Sequence, residues 1–571
     1  MARPRRLKWR QPLWLDHIIL FAQNQHPTMA SVLSPEQRAA LETLKPLFTG
    51  TARAGVLTGS AGTGKTFLVS TLLEGLIKRD WEVVVLTPTG RAADVLRASL
   101  RRMAELREVA MPEIVPRTIH SFIYRMQPPD YAGEQLSLFA ETTQPETSGE
   151  PTLWVIDEAS MVGNTARAAD EVVELCFGSG SLLHDLVEAA DLESNAALRL
   201  LFVGDAGQLP PIQPAAAEHE APALTAAALR AALPPALRDE PIPVVELTEV
   251  RRQSEGPLLQ FIHEVRTAMR AGGWLPTDAR PQVQPLRNGD WLKKYLAETD
   301  NGQSSGRAII LSHTNASVRR YNQAVRVALG RDDVTIHPDE VLLVRRNRSV
   351  NLDHGELGIG FDEVKFKNGS FIQVVGLPQI DREAIVPLRG GEVTLVFWRA
   401  EVRLVNEVGM TPVEVMVLAN RLRPPTPTSA ENIDSALLVD FQRRMLTEHD
   451  LPPQSPGSAR YDEFHSRVQS DPYFNCIQAE YGYAVTVHNA QGGEWPSVLI
   501  DPGSNRAREW QRVPRHRQAY ARWVYTAITR ASEEVSFIHD AAGHHGELPL
   551  HPETIPAATQ PRPPAPSPTG I

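Results

Sequence analysis

The sequence predicts an α/β fold spread over more than one domain, and three observations carry that reading. Short apolar runs end in polar residues at "VVVLTPT", "LWVIDEAS", "RLLFVGD", "AIILSHTN", "SVLIDP" and "VSFIHD". Runs of that length without alternation suit strands buried on both faces of a parallel sheet. A Gly-rich turn, "GVLTGSAGTGKTFLVSTLLEGL", joins one apolar run to an amphipathic stretch, the setting of a phosphate-binding loop. The chain has 571 residues, more than one core accommodates, because domains usually stop growing near roughly 250 residues.

Composition narrows the classes. Hydrophobic residues make up 42% and charged residues 22%, ordinary for a water-soluble globular protein. No run reaches the roughly 18 to 20 apolar residues of a membrane helix, so no membrane association is expected. "MARPRRLKWRQPLWL" is basic but lacks a sustained apolar core and a small-residue cleavage site, which points to the cytoplasm. Cys176 and Cys476 are far apart and without ligand-like spacing, which argues against a disulfide framework or a zinc module. Both read as core thiols. A net charge of −10 excludes wholesale attraction to nucleic acid, so any DNA site must be a local groove. The basic start is left as either a DNA contact or a solvated terminus.

The phosphate loop comprises Gly59, Ser60, Ala61, Gly62, Thr63, Gly64, Lys65 and Thr66 in the G-x-x-x-x-G-K-[ST] spacing. Glycines let the backbone wrap phosphate oxygens, and the following helix N-terminus adds partial positive charge. Lys65 adds a full charge between the β- and γ-phosphates of ATP, and Thr66 is expected to hold Mg²⁺. Asp157 and Glu158 end an apolar run, where one carboxylate can hold Mg²⁺ and the next can orient or deprotonate the attacking water. "LFVGDAGQLPPI" is a third strand ending in polar residues, with Gln208 suited to sensing a γ-phosphate.

In this order the motifs resemble those of superfamily 1 helicases, in particular the 1B branch that includes the phage Dda and RecD-like helicases. "LSPEQRAAL" resembles the Q motif, "TPTGRAADVL" motif Ia, "RTIHSF" motif Ib, "LTEVRRQ" motif IV, "YAVTVHNAQGGEW" motif V and "VYTAITRAS" motif VI. The resemblance implies two RecA-like P-loop domains that sandwich ATP, a small β-hairpin insertion (1B) and an SH3-like β insertion (2B) signalled by "FKNGSFIQVV". It implies that Gln37 reads adenine, Gly493 and Glu494 approach the nucleotide, and Arg252 and Arg530 bridge the γ-phosphate. It also implies single-strand contacts from Thr87, Thr89, Thr118 and His120 in the first domain, and from Thr314, Asn315, Thr486 and His488 in the second. Movement would run 5′ to 3′. Asn489 stands where the family commonly has lysine, and it cannot attract phosphate as a cation.

The expected organisation is a basic extension (1–30), domain 1A (31–262) containing 1B at about 121–151, a linker and start of domain 2A (263–335), the SH3-like 2B insertion with a flexible or helical excursion (336–475), the remainder of 2A (476–545) and a Pro-rich tail (546–571). The tail buries too little apolar surface to offset its ordering entropy and is expected to be disordered, with a protein partner as one use. "RLRPPTPTSAENIDSALL" reads as a surface linker. Residues 123–151 are expected to form a strand-separating pin, with a disordered insertion as the competitor. Phe122, Tyr124 and Phe139 are candidate platforms for stacking bases, worth roughly 1 to 3 kcal/mol per base. The expected partners are single-stranded DNA and its duplex junctions; the resemblance permits a monomer and leaves the oligomeric state open. Two other readings stand beside the helicase: a translocase that displaces proteins without efficient strand separation, and a regulatory nucleotide switch.

Overall fold

The computed structural model describes residues 33–106, 114–132, 139–145, 149–164, 176–211, 222–249, 256–271, 283–286, 290–304, 306–332, 335–352, 362–388, 391–405, 411–422, 427–503 and 514–538. Arg252, the basic start and the Pro-rich tail lie outside these residues.

In the first domain, apolar runs stack into one parallel sheet in the order Arg117–Thr118, Glu82–Thr87, Thr152–Ile156, Leu198–Gly204, Ala54–Gly59 and Val244–Leu247. Side chains alternate across the sheet and are buried on both faces. Val56, Trp154, Ile156, Leu200 and Phe202 enter one core, while Leu57, Leu153, Val155, Leu201 and Val203 enter the other. Uninterrupted hydrophobicity in the sequence follows from this double covering. All carboxyl ends therefore open on one edge, where the Gly-rich loop, Asp157 and Asp205 emerge.

The second domain repeats the design with Val283–Leu286, Ala531–Ile538, Trp495–Ile500, Ala308–Ser312 and Ala484–Thr486, again all parallel. The two sheets are the two RecA-like layers that the motif order implies. The expected boundary after residue 262 falls inside the helix Pro257–Arg270. Leu258, Phe261, Ile262 and Val265 of that helix belong to the second domain's core, because a stripe at helical spacing cannot be divided between two bodies.

The insertion in the second domain is an antiparallel sheet in the order Gln379–Leu388, Gly391–Leu404, Phe371–Val374, Val341–Val344 and Ala479–Tyr481, with Val413–Leu418 paired to Gly391–Leu404. The stretch "FKNGSFIQVV" does not form one strand pair. Asp362–Phe366 pairs with Arg348–Leu352, whereas Phe371–Val374 joins the larger sheet.

The reading of 421–438 as a surface linker is corrected. Ala419–Leu422 and Pro427–His449 are helices, and Ile433, Ala436, Leu437, Phe441 and Met445 are buried. The proline cluster suggested a break, but the 3.6-residue recurrence of apolar groups after it decides the conformation. With Tyr461–Ser470, this helix forms an excursion from the sheet. Its ends lie side by side: the Leu418 N–H donates to the Ile477 carbonyl (3.0 Å) and the Ile477 N–H to the Met416 carbonyl (2.6 Å).

The 121–151 segment is not a lone hairpin. Tyr124–Met126 pairs with Phe139–Thr142, which also pairs with Cys176–Phe177 well beyond the expected limit. Between its strands, Tyr131 is buried against Leu438, Phe441, Met445, Leu451, Tyr461 and Phe464 of the helical excursion. The contact is also polar. Tyr131 Oη and His465 Nδ1 are 2.6 Å apart, Gln442 Nε2 donates to the Tyr131 carbonyl (2.6 Å), and Tyr461 Oη donates to the Pro129 carbonyl (3.0 Å).

Candidate active site

The Gly-rich loop runs from the end of Ala54–Gly59 into the helix Lys65–Ile77, whose N-cap Gly64 is left-handed at φ 81°. A Cβ on Gly59 would meet the Thr63 hydroxyl at 2.6 Å, so close packing of the turn requires glycine there. Lys65 Nζ donates to the carbonyls of Gly59 (2.8 Å) and Ser60 (3.0 Å), which folds the ammonium back over the loop. Thr66 and Asp157 line one small cavity under the loop with Val69, Leu73, Val85 and Val155. Burial, and then the neighbouring Glu158 charge, push the Asp157 carboxyl up to about 7. A divalent cation beside it would oppose both effects, so the hydroxyl and carboxylate suit an oxygen-preferring ion such as Mg²⁺. Glu158 holds φ 51°, a conformation that costs a non-glycine residue free energy and is often kept at working sites.

Gln37 joins the start of the first helix to this loop. Its side-chain oxygen accepts from the Ser34 N–H (3.0 Å) in a capping box, and its Nε2 donates to the Gly64 carbonyl (3.4 Å). One residue earlier, the Glu36 carboxylate accepts from the backbone of Thr248 (2.7 Å) and Glu249 (2.9 Å), tying the same helix to the segment that precedes Arg252.

The strand Leu198–Gly204 delivers Asp205, Gln208 and Leu209 to the seam between domains. The Leu209 N–H donates to Thr526 Oγ1 (2.9 Å) and Gln491 Nε2 donates to the Leu209 carbonyl (3.0 Å). Asp205 accepts from Gly207 (2.9 Å), from Arg266 Nη1 (2.8 Å) and from the Tyr525 hydroxyl (2.6 Å). Arg266 also reaches Glu246 (2.8 Å). These carboxylates hold the Arg266 guanidinium above its usual range despite burial. Gln208 is buried, and its side-chain oxygen has no hydrogen-bond partner among the described residues. Arg530 is buried one turn beyond Thr526. It donates to the carbonyls of Thr526 (3.1 Å) and Gly493 (3.3 Å) and to Thr529 Oγ1 (3.1 Å). Glu494 is exposed beside it.

The strand-end threonines share one local device. Thr118, Thr314 and Thr486 are N-caps whose hydroxyls accept from Ser121 (3.2 Å), Ser317 (3.1 Å) and Asn489 (3.3 Å). Thr89 does the same for Ala92 (3.2 Å) at the start of the helix Gly90–Leu106. Each capped terminus presents backbone N–H groups suited to phosphate. Thr87 is different. It is fully buried and its hydroxyl donates to the Thr89 carbonyl (2.9 Å), so it shapes the turn and offers no surface contact. His120 and His488 are partly covered, and burial holds the His488 imidazole below its usual range; Asn315 is exposed.

Two of the stacking candidates are packed inside. Tyr124 is buried and donates to Asp185 (2.6 Å), and Phe122 sits edge-on against Trp154, 5.0 Å between centroids. Both rings complete the core under motif Ib because an apolar face is available there. Phe139 lies on a strand of the small insertion; its side chain is outside the described set. Sequence reasoning missed Asp205, Arg266, Tyr525 and Thr526, and it placed Gln491 in a loop close to the nucleotide without its bond to Leu209; of these residues all but Arg266 lie in quoted motifs. Tyr525, Thr526 and Gln491 each find their partner more than 280 residues away.

Among known families, the one described as "AAA domain" matches residues 32–284, and "UvrD-like helicase C-terminal domain" matches 481–538. An uncharacterized protein of Methanocaldococcus jannaschii is 29% identical over 167 residues, 28% of this chain and 12% of that protein. The chain therefore spans about an eighth of that relative's length. Solved structures with similar folds include a Pif1 helicase from Candida albicans (14% identity, 91% of this chain and 98% of that one, TM-score 0.37). Another is a Bacteroides Pif1 helicase in complex with ADP-AlF3 and ssDNA (14%, 91% and 95%, TM-score 0.40). Likeness at this level supports no residue-level conclusion.

Proposed function

We propose that the chain, in which segments matching an AAA domain and a UvrD-like helicase C-terminal domain follow in that order, is a superfamily 1B helicase that hydrolyses ATP to move 5′ to 3′ along single-stranded DNA and open duplexes ahead of it. The observation that carries this reading is the joint between Leu209 of the first domain and Thr526 and Gln491 of the second. It ties the end of a strand beside the phosphate loop to the helix Pro514–Ile528, which leads directly into Arg530.

In this reading Lys65 holds the β- and γ-phosphates, and Glu158 orients or deprotonates the attacking water. Gln208 turns its unpaired oxygen toward that water. Thr66 and Asp157 would hold Mg²⁺, which supplies charge neutralisation to the phosphates when bound. Arg530 acts as the arginine finger, a role worth on the order of 10³ to 10⁵ in rate in related phosphoryl-transfer enzymes. Arg252 is its proposed companion. Gln37 and Glu494 meet the base and ribose.

The single strand would lie across the capped helix ends at Thr89, Thr118, Thr314 and Thr486, with His120, Asn315 and His488 beside them. Such phosphate contacts carry no sequence information, which a motor requires. The small sheet that includes Phe139 serves as the pin. No described helix is long and apolar enough to cross a membrane, and we place the activity in the cytoplasm.

Steady-state ATPase with and without single-stranded DNA, followed by unwinding of duplexes with a 5′ or a 3′ overhang, tests the proposal. Stimulation by DNA and opening of the 5′-tailed substrate alone are expected. Opening only of the 3′-tailed substrate would reverse the polarity. Asn489, in place of a cation, favours a second reading in which the same motor displaces bound proteins but separates strands poorly. ATPase activity indifferent to DNA would instead favour a nucleotide switch.

A further inference from the structure

The first turn of the helix Gly90–Leu106 is where three parts of the molecule meet. A Cβ on Gly492 would touch Ala92 at 3.1 Å, the Lys367 side chain packs over Gly90, and Lys367 pairs with Asp94. The centre of the junction is Arg91, only 5% exposed. Its guanidinium lies 4.1 Å from the Trp495 ring centroid and 4.8 Å from that of Phe371. Nε and Nη1 have no hydrogen-bond partner among the described residues. Cation–π stacking offsets part of the cost of burying the charge, but an apolar side chain would fill this space more cheaply. Packing alone does not account for an arginine here.

Gly493 explains what the guanidinium does. A Cβ at that position would sit 2.2 Å from Arg91 Cζ, so the two are in direct contact and only glycine permits it. The carbonyl of the same Gly493 accepts from Arg530 Nη1. Two guanidinium groups thus lie against one peptide unit, and after burial the Arg530 charge is the second influence that lowers Arg91 to about 9. Neither cation can shift without the other feeling it through Gly493.

We propose that Arg91 is a positioning residue that transmits the state of the first-domain strand groove, through Gly493, to Arg530. The inference deepens the helicase reading and rests on it. Thr89 caps the helix that carries Arg91, so a phosphate bound at that helix end acts two residues from the lever. Fixing the helix start fixes the Gly493 carbonyl, and with it the direction in which Arg530 points.

The test uses the full chain, a poly-dT oligonucleotide and the variants Arg91→Met, Arg91→Lys, Gly493→Ala and Arg91→Met/Gly493→Ala. Methionine keeps the packing on Trp495 and Phe371 without the charge. Arg91→Met is expected to lower the DNA-stimulated kcat about tenfold while KM for ATP stays within about twofold, with lysine restoring part of the loss. The double variant should exceed Gly493→Ala alone, because the flexible methionine yields space for the new methyl group. Wild-type DNA stimulation in Arg91→Met, at an unchanged melting temperature, overturns the proposal. Loss of turnover equally with and without DNA in Arg91→Met overturns it too, since that pattern marks a structural role. Failure of the wild-type chain to respond to DNA at all refutes the helicase reading itself.

Discussion

The Tyr525 hydroxyl donates to the Asp205 carboxylate at 2.6 Å, across 320 positions of sequence. The same carboxylate carries the buried Arg266 guanidinium. Removing the anion leaves Arg266 Nη1 and the Tyr525 hydroxyl short of a buried acceptor, although Glu246 still holds the guanidinium, whereas removing the hydroxyl deletes its bond to Asp205 and the one it accepts from Arg266 Nη1 (3.1 Å). Asp205→Ala should therefore cost about 3 kcal/mol and Tyr525→Phe about 1–2 kcal/mol. Urea unfolding followed by tryptophan fluorescence measures both, and equal losses would contradict the ranking.

Arg326 and Glu340 form a fully buried pair, 2.6 Å between Nε and Oε1. Glu340→Ala should destabilise by about 3–5 kcal/mol, while the apolar double replacement Arg326→Met/Glu340→Leu should recover most of that loss. Melting temperatures of the two variants decide it. A double variant as unstable as the single would mean that the pair stabilises the fold in its own right.

Lys65 is partly covered, and among the described residues its hydrogen bonds go to its own loop. Lys65→Ala should reduce ATP turnover by about 10²–10³-fold or more at a wild-type melting temperature. Turnover within a few-fold of wild type would remove the lysine from the phosphate site.

Burial keeps the His488 imidazole below its ordinary range. Above that range the folded and unfolded chains bind equal numbers of protons. As pH falls below about 6.5 the unfolded chain protonates first, so stability is lost in that window and is fully present above it. His488→Gln should shrink the drop in melting temperature between neutral and mildly acidic buffer. An undiminished drop would place the acid sensitivity elsewhere.

Tyr131 fastens the small insertion to the helices Pro427–His449 and Tyr461–Ser470. Tyr131→Ala empties a buried ring site, costing about 3–5 kcal/mol locally. Duplex opening should fall while single-strand-stimulated ATPase persists. Gel-based unwinding beside a coupled ATPase assay separates the two, and parallel loss of both would remove the insertion from strand separation.

The local chemistry of the nucleotide loop was legible in the sequence because it is contiguous: Gly59 to Thr66 and Asp157–Glu158 each follow a strand whose apolar run marks it. Both sheets were legible for the same reason. The start of the Pro427–His449 helix was not, since the prolines before it read as a break and the segment as a linker into a helical stretch, although Ile433, Ala436 and Leu437 are buried. Partnership over distance was invisible. Tyr525 inside "VYTAITRAS" looks like a core aromatic, and only folding shows that its hydroxyl completes Asp205. Thr87 erred in the other direction: a polar residue at a strand end suggested a surface contact, but its hydroxyl is consumed by the turn it makes.

The helical excursion departs at Leu418 and returns at Ile477, and backbone bonds stitch its exit to its entrance. To the sheet it is a bracket that also covers one face: Ile433, Ala436 and Leu437 share a core with Val386, Leu395, Phe397 and Leu418, and Asp440 pairs with Arg382, so removing it would bare those strands. Cutting there would give a motor whose two parallel sheets are whole but whose small insertion has nothing to lean on.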